Sequence, residues 1–415
     1  MAQYIGAGRK DRVGPVVWQA LYFALAGGVA FMLFALPADW IMSQFGHEPQ
    51  LQVLEATYFR CLCFAALPMA LTAAATAFYL GRGESNIVML INFMGMFVNA
   101  VLDFLWIFGW WGFPEWGIAG AGWATVIGSW VSALLAIGLF LQPKFSETFA
   151  TWRGWKFDDA LFGRLMRFGL PSGLQWAMDG VVFTIFTVII GQMGPAQIAA
   201  TSIAFTMNMI AFMPTVGFGQ AVSILVGQRL GENKPESAER VTYAGFTMAW
   251  LVMTTIGITF IFFPQMYVAL FETQRDPKDW VAVAALVPTL LRFVAFYCLF
   301  DSFNLIFSFA LKGAGDTKFV TLTTVTLAWP LMVLPTYLVK VFGLGVYGAW
   351  TAATLYICTL GVVFLFRFRG GKWKSMRVIE TSTSETENSA GELSPVAGLV
   401  PSEMHPEGVQ EKQSV

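Results

Sequence analysis

The sequence predicts an all-α fold, a polytopic transmembrane helix bundle, and three observations carry that expectation. Of its 415 residues, 56% are hydrophobic and only 12% are charged, about half the charged share of an average soluble domain. Apolar stretches near the length that crosses a bilayer, roughly 20 residues, recur ten times along the chain. Lys and Arg fall almost wholly into alternate connections between those stretches, as they do when one membrane face is cytoplasmic.

In order, the spans are expected near 14–36, 52–80, 87–110, 117–141, 168–190, 197–226, 241–265, 283–311, 319–341 and 346–366. One face receives Arg9, Lys10 and Arg12, then Arg82, then the cluster from Lys144 to Arg167, then Arg229, Lys234 and Arg240, then Lys312 and Lys318, and finally Arg367 to Arg377. The opposite face receives Arg275 and Lys278, with Lys340 at a helix end. Both termini are therefore expected in the cytoplasm. MAQYIGAGRKDRVG does not lead a short cleavable apolar segment, so no signal peptide is expected there.

Residues 1–141 supply four spans and residues 168–370 six. The connection 142–167 is the longest on the cytoplasmic face, and its amphipathic second half is expected to lie along the inner interface. Residues 371–415 start basic and become an acidic tail rich in Ser, Thr, Glu and Pro, a composition that cannot bury enough apolar surface to order itself.

The same composition excludes several function classes. A net charge of −1 gives no field for nucleic acid. His47 and His405 are the only histidines, too few for a zinc enzyme built on His clusters. No P-loop or kinase-like Gly loop is present, so energy is expected from an ion gradient rather than from ATP, and no enzyme activity or cofactor is expected. Cys61, Cys63, Cys298 and Cys358 are scattered through apolar stretches and read as buried thiols.

A tandem repeat organises the spans. Gly81-Arg82-Gly83-Glu84-Ser85 is matched by Gly313-Ala314-Gly315-Asp316-Thr317 at an offset of 232 (313 minus 81). Gln3 pairs with Gln228 at 225, Arg60 with Arg292 at 232, and Gly117 with Gly345 at 228. Similar offsets between helices of matching direction imply two parallel, pseudo-symmetric lobes related by an axis along the membrane normal. Met1 pairs with Val226 in this register, so the spans from Arg167 to Val226 have no partner in the first half. The expected arrangement is four plus six helices where six plus six would be complete.

Asp301 lies in the middle of a stretch otherwise apolar enough to span. A charge there is costly, which makes a functional reading the default. Asn304 and Ser308 follow at three and seven residues on the same helix face. The stripe suits binding of H+ or Na+, with an interhelical polar contact as the competing reading. The turn after this helix offers Asp316 or Thr317 as a cap for the next.

The stretch Gly169-Leu170-Pro171-Ser172-Gly173-Leu174-Gln175, the residues from Phe212-Met213-Pro214 to Val226-Gly227-Gln228, and the turn from Gly313 to Thr317 resemble the multidrug and toxic compound extrusion (MATE) family, NorM-like branch. Asn99-Ala100-Val101-Leu102-Asp103 and Gly117-Ile118-Ala119-Gly120-Ala121 resemble it too, and the likeness covers about residues 2 to 370. It implies a two-lobed exporter of twelve helices that exchanges H+ or Na+ for amphipathic, often cationic, organic compounds. It also implies a cation site formed by an acid on the family's seventh helix and an aspartate on its tenth, which match Asp179 and Asp301 here. Asp179 stands where Glu is more usual, and the family's first-helix aspartate has no counterpart in this sequence.

Gln175 precedes Asp179 by one turn and Phe183 follows it by one turn. Should Asp179 and Asp301 face each other, their like charges in a low dielectric would hold a proton or Na+ at neutral pH. Asn99 and Asp103, one turn apart, either extend an ion path or form an interfacial acid beside Trp106, Trp110 and Trp111. Met207, Phe205, Phe212 and Met213 suit a promiscuous apolar cavity, although ordinary packing explains each of them as well.

The expectation is a monomeric, cation-coupled antiporter with small organic substrates and the lipid bilayer as its partners. Its alternatives are a flippase of lipid-linked precursors, which would need a strongly cationic cavity, and a truncated membrane partner that does not transport.

Overall fold

The computed structural model describes residues 1–46, 48–272 and 277–380. His47, His405, Arg275 and the acidic tail lie outside the described residues, as does the side chain of Lys278. Fifteen α-helices follow one another: α1 Ala2–Gly6, α2 Val13–Met32, α3 Ala38–Ser43, α4 Pro49–Gly81, α5 Ser85–Ile107, α6 Ile118–Phe140, α7 Pro143–Phe149, α8 Asp159–Gly191, α9 Pro195–Gly231, α10 Pro235–Phe262, α11 Pro264–Glu272, α12 Pro277–Ala314, α13 Thr317–Ala328, α14 Leu334–Val341 and α15 Gly345–Arg369. Among the described residues ten helical stretches are long and apolar enough to cross a membrane, in the places the hydropathy pattern indicates. The protein is an all-α, multi-pass membrane bundle.

Helix starts are written locally. Pro49, Pro195 and Pro235 occupy first-turn positions, where a missing N–H costs nothing. The repeated turns end α4 and α12 with glycines at positive φ, Gly83 at +81° and Gly315 at +106°, a region that side-chain-bearing residues avoid.

Two local expectations are corrected. The amphipathic half of 142–167 does not form a separate surface segment, because α8 starts at Asp159 and absorbs it. Asp158 caps that start, accepting from the N–H groups of Ala160 and Leu161 at 3.0 Å each. Asp316 does not cap α13 with its side chain, because Arg367 on α15 binds that carboxylate at 2.8 Å. The span expected at 319–341 is present as Thr317–Val341, with a π-turn at Trp329–Val333 between α13 and α14. Pro330 lacks the N–H that an α-helical turn would use there.

In residues 1–378, one compact unit, α2 packs on α4, and α6 packs on both α4 and α5. In the second half α12 is central, with α9, α10 and α15 around it, while α8 lies against α13. The halves meet where α1 packs on α9 and α2 on α8. Large side chains such as Phe186, Phe307, Trp350 and Phe364 are fully enclosed in the second half. Arg60 pairs with Asp39 rather than standing alone at its helix end. Cys61, Cys63 and Cys298 are buried free thiols, and Cys358 is half-buried.

Candidate functional site

Helices α8, α9, α12 and α15 and the π-turn enclose a cavity of about 260 Å³. From α8 come Gln175, Asp179 and Phe183, each four residues apart and therefore on one face. From α9 come Phe205, Asn208, Met209 and Phe212, the i, i+3, i+4, i+7 positions of a single face. From α12 come Asp301, Asn304, Ser308 and Lys312, and from α15 Trp350 and Tyr356. Met332 projects from the π-turn.

Asp301 is 5% exposed, so its charge relies on local partners. The Asn304 amide donates to its Oδ1 at 2.9 Å. Ser308, also buried, donates to the Leu305 carbonyl at 2.9 Å and keeps its lone pairs for the cavity. The Asp179 carboxylate has different neighbours, the Gln175 amide and the charge of Lys312. Among the described residues no hydrogen bond joins the two acids, and both line the one cavity.

The apolar walls are fixed by packing. Phe205 stacks on Trp350 with centroids 5.1 Å apart, and Phe183 meets Phe205 at 4.7 Å. The Trp350 indole is anchored by donation to Thr201 Oγ1 at 3.2 Å. Tyr356 donates its hydroxyl to the Thr324 carbonyl at 3.3 Å. A carboxylate-bearing chamber with rigid aromatic walls binds flat or bulky amphipathic molecules by area and cations by charge.

Of the residues singled out from the sequence, Asp179, Asp301, Gln175, Asn304, Ser308, Phe205 and Phe212 come together here. Met207 and Met213 do not: Met207 is buried in the bundle, and Met213 is 58% exposed away from the cavity wall. Helical spacing is the reason, since Met209 rather than either of them shares the face of Phe205 and Phe212. Asn99 and Asp103 lie on α5, outside this cavity. Asn99 donates weakly to Thr125 Oγ1 at 3.4 Å, while Asp103 Oδ1 is enclosed without a partner.

Lys312 and Asn208 were not legible as site residues. Charge placement puts Lys312 among the cytoplasmic-face cations, although its spacing of four from Ser308 continues the polar face. Asn208, 8% exposed, accepts from the Cys298 thiol at 3.7 Å. A second cleft, of about 500 Å³, opens between α2, α4 and α8, but Ala, Gly and large apolar residues make up its whole wall. It offers no group for chemistry, and the polar cavity is the candidate site.

Ten candidate spans among the described residues, with a cavity bearing two carboxylates between the helices of the second half, define a multi-pass membrane protein with a solute-sized site in its helix bundle. The chain belongs to the MatE family, whose model matches residues 1–105 and 171–338. It is 26% identical over 375 residues to the "Probable multidrug resistance protein NorM" of Shewanella oneidensis, covering 89% of this chain and 80% of that relative. The protein of the same name from Xanthomonas axonopodis pv. citri is 29% identical over 377 residues, again 89% of this chain and 80% of the relative. The sequence is thus NorM-like.

Among solved structures, a MATE protein in complex with MaL6 superposes with a TM-score of 0.82 at 21% identity, covering 90% of this chain and 83% of its own. An outward-facing multidrug resistance MATE transporter of the MOP superfamily gives 0.81 at 21% identity, with 90% and 82% covered. These similarities establish the fold.

Proposed function

We propose that the protein is a secondary active exporter that exchanges Na+ or H+ for amphipathic organic cations across the inner membrane of a bacterium. One observation carries the reading: Asp179 and Asp301, on separate helices, line a single aromatic-walled cavity. The names of the NorM relatives support multidrug efflux as the physiological activity.

In this reading Asp301, Asn304 and Ser308 offer a hard-oxygen site suited to Na+ or a proton, and Asp179 with Gln175 faces the cargo. Both ligands neutralise the same buried negative charge, so each lowers the affinity of the other. Alternating access then converts the ion gradient into export. Na+ is favoured over H+ because both acids belong to the second half. The two halves, 1–141 and 168–370, would act as lobes rocking about the cavity, with both termini in the cytoplasm and a single chain sufficient.

A lipid pyrophosphate would require an excess of cations, whereas this cavity carries two acids against one lysine. Electrostatics therefore favours a cationic cargo.

The test is dye efflux from proteoliposomes under separately imposed Na+ and pH gradients. Asp301→Asn is expected to reduce ion-driven efflux at least about tenfold, the rate cost of about 1.4 kcal/mol, with insertion unchanged. Undiminished efflux would remove Asp301 from coupling, and efflux driven by the pH gradient alone would assign the exchange to protons.

A further inference from the structure

Lys312 lines the cavity, yet the exchange just described makes no use of it. It stands eleven residues beyond Asp301 (312 minus 301) on α12, about 16 Å along the axis at 1.5 Å per residue. Its Nζ lies 5.2 Å from the ring centroid of Phe309 and 6.0 Å from that of Trp176. Those are the distances at which aromatic faces hold an ammonium. Among the described residues no carboxylate comes within 4.0 Å of it, although Asp179 is the acid whose field it feels. Its charge is therefore neither cancelled in a closed ion pair nor released to solvent.

We infer that Lys312 sets the charge capacity of the cavity at one monovalent cation. Asp179 and Asp301 contribute two negative charges and Lys312 one positive, which leaves one net negative charge on the wall. With that balance a coupling ion and a monocationic cargo exclude each other, as an exchanger requires, because a second cation would enter a site with no charge left to meet it. The lysine is tethered to α12 and does not leave with the cargo. Its aromatic seat, Phe309 and Trp176, keeps the ammonium inside the chamber instead of letting it collapse onto Asp179. The inference rests on the cation-exchange reading and adds to it the valence of the cargo.

The experiment compares two small probes of the same aromatic core, phenyltrimethylammonium and 1,4-bis(trimethylammonio)benzene, by isothermal titration of the purified full chain in detergent, without Na+ and at one pH. The readout is the ratio of dication to monocation affinity. Lys312→Met is expected to shift that ratio towards the dication about tenfold or more, since a like charge some 10 Å away is worth about that factor at an effective dielectric near 20. Lys312→Arg, which keeps the charge, is expected to retain the wild-type ratio.

An unchanged ratio in Lys312→Met overturns the inference while leaving cation exchange standing. So does loss of all binding in Lys312→Met when Lys312→Arg binds normally. Failure of the wild type to bind either probe, or wild-type binding by Asp179→Asn and Asp301→Asn alike, overturns the exchange reading itself and this inference with it.

Discussion

At Asp301 a carboxylate in the interior of a membrane bundle meets an amide one turn on, and in the proposed exchange that contact governs how firmly an ion is held. Asn304→Ala removes the 2.9 Å bond to Asp301 Oδ1. Hydrogen bonds to charged groups are worth about 1.5–3 kcal/mol, so ion affinity is expected to fall about tenfold or more, with efflux preserved at saturating ion. Titrating the driving ion against the initial efflux rate checks this, and an unchanged half-saturation would show that the amide is dispensable. Asp301, Asn304 and Ser308 were readable from the sequence because a polar stripe in an apolar helix fixes its own face. Asn208 and Lys312 were not, because their inclusion depends on how α9 and α12 are rotated against neighbours as distant in sequence as Cys298 and Trp176. The same rotation, invisible in composition, exchanged Met209 for Met207 and Met213.

Among the elements, α8 shows most plainly what a local signal can and cannot carry. Apolar length placed its start near 168, but the helix begins nine residues earlier at Asp159 (168 minus 159), where Asp158 supplies a cap. Asp158→Ala is expected to cost about 1 kcal/mol, the usual price of a lost N-cap. Thermal unfolding in detergent, alongside the same change at the exposed Asp159, separates the cap from general charge effects, and equal melting temperatures would dismiss it. The π-turn at Trp329–Val333 is marked in the sequence only by Pro330, which removes a donor without saying how the ladder is rerouted. Hydropathy reports that a segment crosses the membrane and is silent about how its hydrogen bonds are routed.

Across the whole molecule, Gln3 joins parts of the chain far apart in sequence. It is 3% exposed. Its amide donates to the carbonyls of Gly313 and Ala314 at 3.3 Å each, and its Oε1 accepts from the Val378 N–H at 2.8 Å. Gln3→Ala would leave buried partners unsatisfied, at about 1–3 kcal/mol. The expected result is a lower unfolding temperature together with faster proteolysis after residue 370, and protection equal to wild type would count against the clamp. The ten-span architecture itself was recoverable from composition and charge placement, since the bilayer imposes length and the positive-inside rule imposes alternation. The join between the halves through α1 and α9 was not, because it rests on close backbone approach at Gly6, Gly227 and Gly231 rather than on any periodic pattern.

That the side chain of residue 3 touches the backbone of residue 378 also bears on gene order. Positions 3 and 378 are spatial neighbours, so a circular permutant whose new ends fall in the turn at Arg153–Trp155, with a short flexible linker from 378 to 1, would keep every helix beside its present neighbours. Such a chain is expected to insert and to bind the same cations as the parent. Scrambled insertion in the permutant would show that the order in which helices are synthesised, and not their final contacts alone, determines the assembled bundle.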